Sequence, residues 1–121
     1  MYVDMLSEAV GAWRGAVSHQ GLVDHALECR VRMLATGTAH GATAYQALAA
    51  ELAYDRALIL LCGDAGIETS PRSFDQPRTE RNRVERALAK WASIDLIALS
   101  CERHEYAGTP SNSPVDTCRR V

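Results

Sequence analysis

The distribution of proline is the feature that most constrains how this chain can fold. All four prolines follow residue 70, so the first 70 residues lack the residue that most strongly interrupts a helix. In the same segment, apolar side chains recur at steps of three and four, which places them along one side of an α-helix. The pattern predicts helices throughout the first half of the chain.

Three helices are predicted before residue 70. The first carries its apolar residues at positions 3–17 and ends at residues 18–21. The second covers about residues 22–35 and ends in a turn at residues 36–41, where two glycines and small polar residues disfavour its continuation. The third covers about residues 42–65.

The third predicted helix is apolar on two faces, so we expect it to lie at the centre of the fold. Such a helix is usually surrounded by partners, which come from its own chain or from a second subunit. At its end, Gly66 fits a left-handed residue, and Ile67 can close back on the last turn. One face consists of Tyr45, Leu48, Leu52 and Ile59, and the other consists of Tyr54, Leu58 and Leu61.

The second half of the chain predicts a loop at residues 68–76 and a fourth helix that starts beside Pro77. The residues from Ile94 to Cys101 either continue that helix or form a short helix of their own, because a single strand would have no partner. From Glu105 onwards the chain is rich in Gly, Pro, Ser and Thr, which predicts a mobile tail.

These elements predict an all-α fold, a compact four-helix bundle with antiparallel neighbours, in which one further short helix is an open alternative. Residues 1–104 would form the single domain and residues 105–121 the flexible tail. A chain of 121 residues has no room for a second core. With 47% hydrophobic and 23% charged residues, the composition excludes a disordered or fibrous protein.

Charge and hydropathy limit the kinds of ligand and the cellular location that we expect for this chain. A net charge of −2 is too small to indicate a polyanionic ligand. The longest apolar run, from Ala57 to Cys62, is far shorter than the ~20 residues of a membrane helix, and the acidic Asp4 and Glu8 do not fit a secretion signal. We expect a cytoplasmic protein with reduced cysteines and no membrane contact. The twelve arginines against one lysine suggest a GC-rich bacterial genome.

The strongest charge feature is the basic segment from Arg72 to Lys90. Within it, Arg83, Arg86 and Lys90 share a stripe away from the apolar side of the fourth helix, so a phosphate backbone could lie along them. The alternative is a solvated face on which glutamates pair with arginines. We expect the solvated face, and therefore no salt-sensitive binding of nucleic acid at physiological salt.

Arg14 and His19 have the spacing R-x4-H, in which the histidine can move a proton while the arginine holds a phosphate. The spacing is similar to that of small helical ribonucleases of the HEPN class, and the resemblance would imply ribonuclease activity at this pair. In a chain with twelve arginines and four histidines, about one such spacing arises by chance. We therefore favour a surface pair at a helix end.

His25 and Cys29 lie four residues apart on the second helix, as Glu51 and Asp55 do on the third. If the two helices pack antiparallel, these four side chains could form a metal site. The chain has no H-E-x-x-H motif and no C-x-x-C pair to support it. We predict a core cysteine beside a boundary histidine, with no metal and no cofactor.

Glu51 and Asp55 project between the two apolar faces of the third helix, where an unpaired charge is costly. Arg56 points about 100° away from Asp55 around the helix, so it is poorly placed to pair with it. A base from another helix is therefore needed. We predict an ion pair with one of the bases of the first two helices, which are Arg14, Arg30 and Arg32.

No catalytic residue set stands out, so the favoured prediction is a small non-catalytic protein that acts through protein–protein interaction or regulation. Gly11 and Gly15 flatten one edge of the first helix, and we expect a homodimer that uses the first or third helix. The alternative is a nucleic-acid-acting module that uses Arg14 and His19, or the basic segment. The candidate binding residues are Arg83, Arg86, Lys90, Glu51 and Asp55.

Overall fold

A computed structural model describes residues 2–14, 18–38 and 43–106, and within these ranges the chain is all-α and has no strand. The predicted fold class is confirmed, and the fourth helix is followed by a separate fifth. In chain order the elements are α1 (Tyr2–Gly11), α2 (His19–Thr38), α3 (Ala44–Ala65), a 3₁₀ helix (Pro71–Asp75), α4 (Pro77–Trp91) and α5 (Leu96–Tyr106).

The boundary between the first two helices differs from the prediction. Residues 18–21 begin α2 instead of ending α1, because the Ser18 hydroxyl accepts a hydrogen bond from the Gly21 amide at 3.1 Å and so caps the new helix. Gly11 is exposed at the end of α1, and among the described residues no atom beyond its chain neighbours and the backbone of its own helix lies within 4 Å of the position that its Cβ would occupy. No other described helix of the same chain therefore approaches Gly11, an approach by a second subunit stays a prediction, and Gly15 lies outside the described residues.

Both ends of α3 are set by local signals. The Thr43 hydroxyl accepts from the Gln46 amide at 3.0 Å, and the Gln46 side chain accepts from the Thr43 amide at 2.9 Å, which forms a capping box. At the other end Gly66 has a φ of 78°, and the Ile67 amide donates to the Cys62 carbonyl at 2.9 Å. The predicted left-handed glycine is confirmed.

The chain breaks between α4 and α5, so the residues from Ile94 to Cys101 do not continue the fourth helix. Ser93 adopts a positive φ of 59°, and the Ile94 amide then closes on the Leu88 carbonyl at 3.0 Å. The Asp95 carboxylate accepts from the Ala98 amide at 3.1 Å and caps the new helix. The alternative of a separate short helix is the one that forms.

The core is built around α2 and α3, which run in opposite directions. His19 at the start of α2 contacts Asp64 near the end of α3, with 2.6 Å between Nδ1 and Oδ2. α4 and α5 pack on this pair, and α1 adds a smaller cluster in which Leu6, Ile59 and Phe74 are buried together. The main core includes Leu22, Ala26, Leu27, Cys29, Tyr54, Leu58, Leu61, Cys62, Val84, Leu88 and Leu96.

The predicted tail falls mostly on residues that the structure does not describe. α5 continues to Tyr106, and residues 107–121 lie outside the described ranges. The flexible tail and the domain boundary at residue 104 therefore stay predictions. Among the described helices, none combines the length and the apolar character that a membrane crossing requires.

Candidate functional site

Asp55 is the centre of a buried polar network between α1, α3 and α4. Its carboxylate is fully buried and accepts two hydrogen bonds from Arg81, at 2.8 Å from Nε and at 2.9 Å from Nη2. Nη2 also donates to Glu51 at 3.1 Å, and the Tyr2 hydroxyl donates to Asp55 at 2.5 Å. Burial raises the pKa of the Asp55 carboxyl, and the bonds from Arg81 oppose that rise. The network ties three helices together.

The ion pair predicted for Glu51 and Asp55 therefore exists, but the predicted source of its base is wrong. Arg81 of α4 holds both carboxylates, and its side chain is only 10% exposed. Arg81 can do so because it lies at the edge of the buried side of α4, where its stem packs inward while its guanidinium reaches α3. None of the three expected bases fills this place, namely Arg14, Arg30 and Arg32.

A second buried network joins α2, α3, α4 and α5 through Glu85. Arg30 donates from Nε to Glu85 and from Nη1 to the Ser100 hydroxyl, both at 3.0 Å. The Tyr54 hydroxyl donates to the same carboxylate oxygen of Glu85. Burial, and then the neighbouring Glu85 charge, raises the pKa of Tyr54 well above its usual range, so the phenol stays protonated. Arg30 thus links α2 to α4 and α5.

One residue of the predicted basic stripe takes part in a structural contact. Arg83 donates two hydrogen bonds to Glu80, at 2.9 Å from Nε and at 2.6 Å from Nη2. These bonds lower the pKa of the Glu80 carboxyl. Arg86 is exposed, and the Lys90 ammonium lies 5.0 Å from the centre of the Trp91 ring. The stripe resembles the predicted solvated face, while the absence of nucleic-acid binding stays a prediction.

Arg14 and His19, the pair with ribonuclease-like spacing, contact different partners. Arg14 donates to the backbone carbonyls of Gly11 at 3.2 Å and Trp13 at 2.8 Å. His19 contacts Asp64 on an exposed surface. No described contact joins the two side chains, so the structure gives no support for a catalytic pair beyond the R-x4-H spacing.

The structure does not bring together the four residues of the alternative metal site, His25, Cys29, Glu51 and Asp55. His25 lies beside Cys29, with 3.6 Å between Nε2 and Sγ, whereas Glu51 and Asp55 bind Arg81. Within the described residues, no group of three or more His, Cys, Asp or Glu side chains is placed to hold a metal ion. Burial raises the pKa of the Cys29 thiol and lowers that of His25, so both groups favour their neutral forms.

Arg56 packs on an aromatic ring and does not pair with Asp55, as its position around α3 predicts. Its guanidinium lies 4.9 Å from the centre of the Trp13 ring, which in turn stacks on His25 at a centroid distance of 4.5 Å. Its buried Nε has no hydrogen-bond partner among the described residues. A cation–π contact of this kind contributes about 0.5–2 kcal/mol. Arg56 therefore helps to hold the segment after α1 against α2 and α3.

Apolar side chains are exposed at the end of the α2–α3 pair where the two helices connect. We call this end, residues 33–36 and 43–50, the hairpin tip. Tyr45 is 78% exposed, Leu34 is 39% exposed and Leu48 is 37% exposed. Tyr45 and Leu48 are three residues apart, so they lie on the same side of α3. Exposed apolar surface of this kind marks a candidate binding site.

The hairpin tip also lacks charge. No Asp, Glu, Lys or Arg occurs in the eighteen residues from Met33 to Ala50, where about four would be expected at the chain's average of 23%. Exposed helix surfaces normally carry charged residues, whereas the cores of protein interfaces are depleted of them. The hairpin tip therefore shares the lack of charge of an interface core, although it lies on an exposed surface.

Two of these features were present in the sequence and were missed. The charge-free segment from Met33 to Ala50 can be counted directly. Arg81 and Glu85 lie one turn apart beside the apolar Val84, so helical periodicity places them at the edge of the buried side of α4, although it does not indicate which residues they contact.

Comparison of the chain with protein families, with curated proteins and with solved structures found no match.

Proposed function

We propose that this chain is a small non-catalytic protein that acts by binding another protein through the hairpin tip. The observation that carries the proposal is Tyr45, a large aromatic residue that is 78% exposed on a helix surface without charge. Tyrosine is enriched at protein interfaces because its ring offers a large contact area at low entropic cost and its hydroxyl can still bond. Water around this ring would be released when a partner covers it.

The arrangement of the ionisable groups supports a non-catalytic role. Three buried carboxylates belong to Asp55, Glu80 and Glu85, and each accepts a hydrogen bond from an arginine. A catalytic carboxylate must instead reach a substrate in a cleft with a pKa suited to proton transfer. Asp55 and Glu85 join different helices, and Glu80 pairs with Arg83 within α4, so we assign all three a structural role.

The setting that we propose is the cytoplasm of a bacterial cell. Cys29 and Cys62 are both buried and free, which suits a reducing compartment. Burial raises the pKa of the Cys62 thiol to about 12, so this thiol stays protonated and unreactive.

A site-specific photocrosslink tests the proposed function. Tyr45→p-benzoylphenylalanine places a crosslinker on the hairpin tip, and Thr79→p-benzoylphenylalanine places the same group on the exposed face of α4 as a matched control. In its own host cells, position 45 should yield a discrete covalent adduct with a polypeptide, and position 79 should not.

A second substitution shows whether the adduct depends on the tip. Leu48→Glu puts a charge one turn from position 45 and should abolish the adduct, because an unpaired charge is costly at an interface core. If position 45 captures nothing beyond what position 79 captures, or if Leu48→Glu leaves the adduct unchanged, the hairpin tip is not a binding surface.

A further inference from the structure

We propose that the partner of the hairpin tip is a second copy of this chain, so that two tips pack side by side in a two-fold symmetric dimer. The inference rests on the proposed function, because it names the partner of the same surface. In such a dimer the ends of two α2–α3 pairs form a local four-helix arrangement, and each apolar residue of one copy meets the same surface of the other.

The lack of charged residues on the tip is the reason to expect a second copy as its partner. Charged patches choose partners by complementary potential, and they repel a like copy. The tip has no charge from Met33 to Ala50, so it offers nothing that an acidic or basic partner would recognise, and two copies approach without repulsion. Elsewhere, α4 presents the exposed cations Arg78, Arg86 and Lys90, which would repel a second α4. Another tip is therefore a surface that this chain can offer without electrostatic repulsion, whereas a second α4 is not.

The part of the tip that belongs to α3 is exposed and precedes the residues through which α3 makes its described polar contacts with α1 and α4. The described polar contacts of α3 with α1 and α4 involve Glu51, Tyr54 and Asp55, all of which follow the tip in the chain. In the first two turns of α3, Ala44, Tyr45, Gln46, Leu48 and Ala49 are all exposed. A pair of helices with an apolar outer side gains burial when a second pair packs on it.

The size of the tip determines the expected strength of the dimer. A standard interface takes about 800 Å² and about 20–30 residues from each partner. The hairpin tip, residues 33–36 and 43–50, contains fewer residues than such an interface. Each Tyr45 ring can bury on the order of 150 Å², and a symmetric dimer gains that area twice. We therefore expect a dimer that dissociates at micromolar concentrations instead of an obligate one.

Sedimentation of the full chain tests the inference. From about 1 to 500 μM the mass should rise from the 13.2 kDa of one chain towards twice that value. Tyr45→Glu should weaken the association on the order of 100-fold, because both copies lose an aromatic anchor and gain a like charge at the same interface. Arg86→Glu changes an exposed residue of α4 and should leave the dissociation constant within a factor of about two.

The circular dichroism and thermal unfolding of both variants show whether the fold is kept, and Gln46→Glu provides a second, milder charge on the exposed tip if Tyr45→Glu does not fold. A wild-type chain that stays monomeric at 500 μM, or a folded Tyr45→Glu that dimerises like the wild type, overturns the second-copy inference. If the wild-type chain stays monomeric but still crosslinks to another polypeptide from position 45, the second-copy inference fails and the proposed function stands. If it crosslinks to nothing, the proposed function fails as well.

Discussion

The Arg81→Met substitution gives the sharpest test of how the buried network holds the fold. Methionine keeps much of the apolar stem but removes the guanidinium that donates to Asp55 at 2.8 and 2.9 Å. Asp55 then remains fully buried with Tyr2 as its described donor, while Glu51, whose side chain is 37% exposed, can turn to water. Removing one partner of a buried pair costs about 3–5 kcal/mol.

We expect the lower end of that range, about 3 kcal/mol at pH 7, because Tyr2 still donates and because Asp55 can take up a proton. Burial already raises the pKa of Asp55, and the loss of Arg81 removes the contact that opposes this rise. A folded-state pKa above the unfolded value of about 3.9 means that the folded chain binds the proton more readily. Because the wild-type pKa is raised less, the cost of Arg81→Met grows with pH only above the wild-type folded-state pKa, by up to about 1.4 kcal/mol per pH unit, until the higher folded-state pKa of the variant is passed.

Urea unfolding, followed by circular dichroism at pH 4.5 and at pH 7, measures both the cost and its pH dependence. Arg86→Met is the matched control, because it makes the same change at an exposed position of the same helix and should stay within about 0.5 kcal/mol of the wild type. An Arg81→Met cost no larger than that of Arg86→Met, or one that does not shrink on acidification, would refute the reasoning.

Three further predictions concern substitutions at four single positions. Arg83 lowers the pKa of Glu80, so the contribution of Glu80 to stability is present above its unfolded-state pKa and is lost as the pH falls through its folded-state pKa. Glu80→Gln should therefore make the free energy of unfolding depend less on pH between pH 3 and pH 6, as measured by urea unfolding. Gly66→Ala should lower the free energy of unfolding by about 1 kcal/mol, because φ is 78° at this position, and Ser93→Gly should raise it by about 0.5–1 kcal/mol, because φ is 59° there. Thermal unfolding measures both changes. If both substitutions shift stability in the same direction, a positive φ does not determine the effect of glycine at these positions. Thr43→Ala should cost about 1 kcal/mol through loss of the capping box, and an unchanged melting temperature would show that the cap is not needed.

The fold class and the ends of α3 were predictable because their signals are local. Steps of three and four between apolar residues determine a helix face whatever the rest of the chain does. Gly66 ends α3 because a left-handed residue is least strained as glycine. The start of α2 differs from the prediction because Ser18, which the sequence places at the end of α1, caps the helix that follows it.

Helical periodicity predicts that Asp55 is buried and paired, because it places Asp55 between two apolar faces and an isolated buried carboxylate is unstable. That its partner is Arg81 could be learned from the packed helices alone. Which arginine comes within about 3 Å of that carboxylate depends on how α4 packs against α3, and no spacing within either helix encodes that arrangement. The same holds for Tyr45, whose place on a helix face follows from periodicity, while its exposure depends on where α1, α4 and α5 pack.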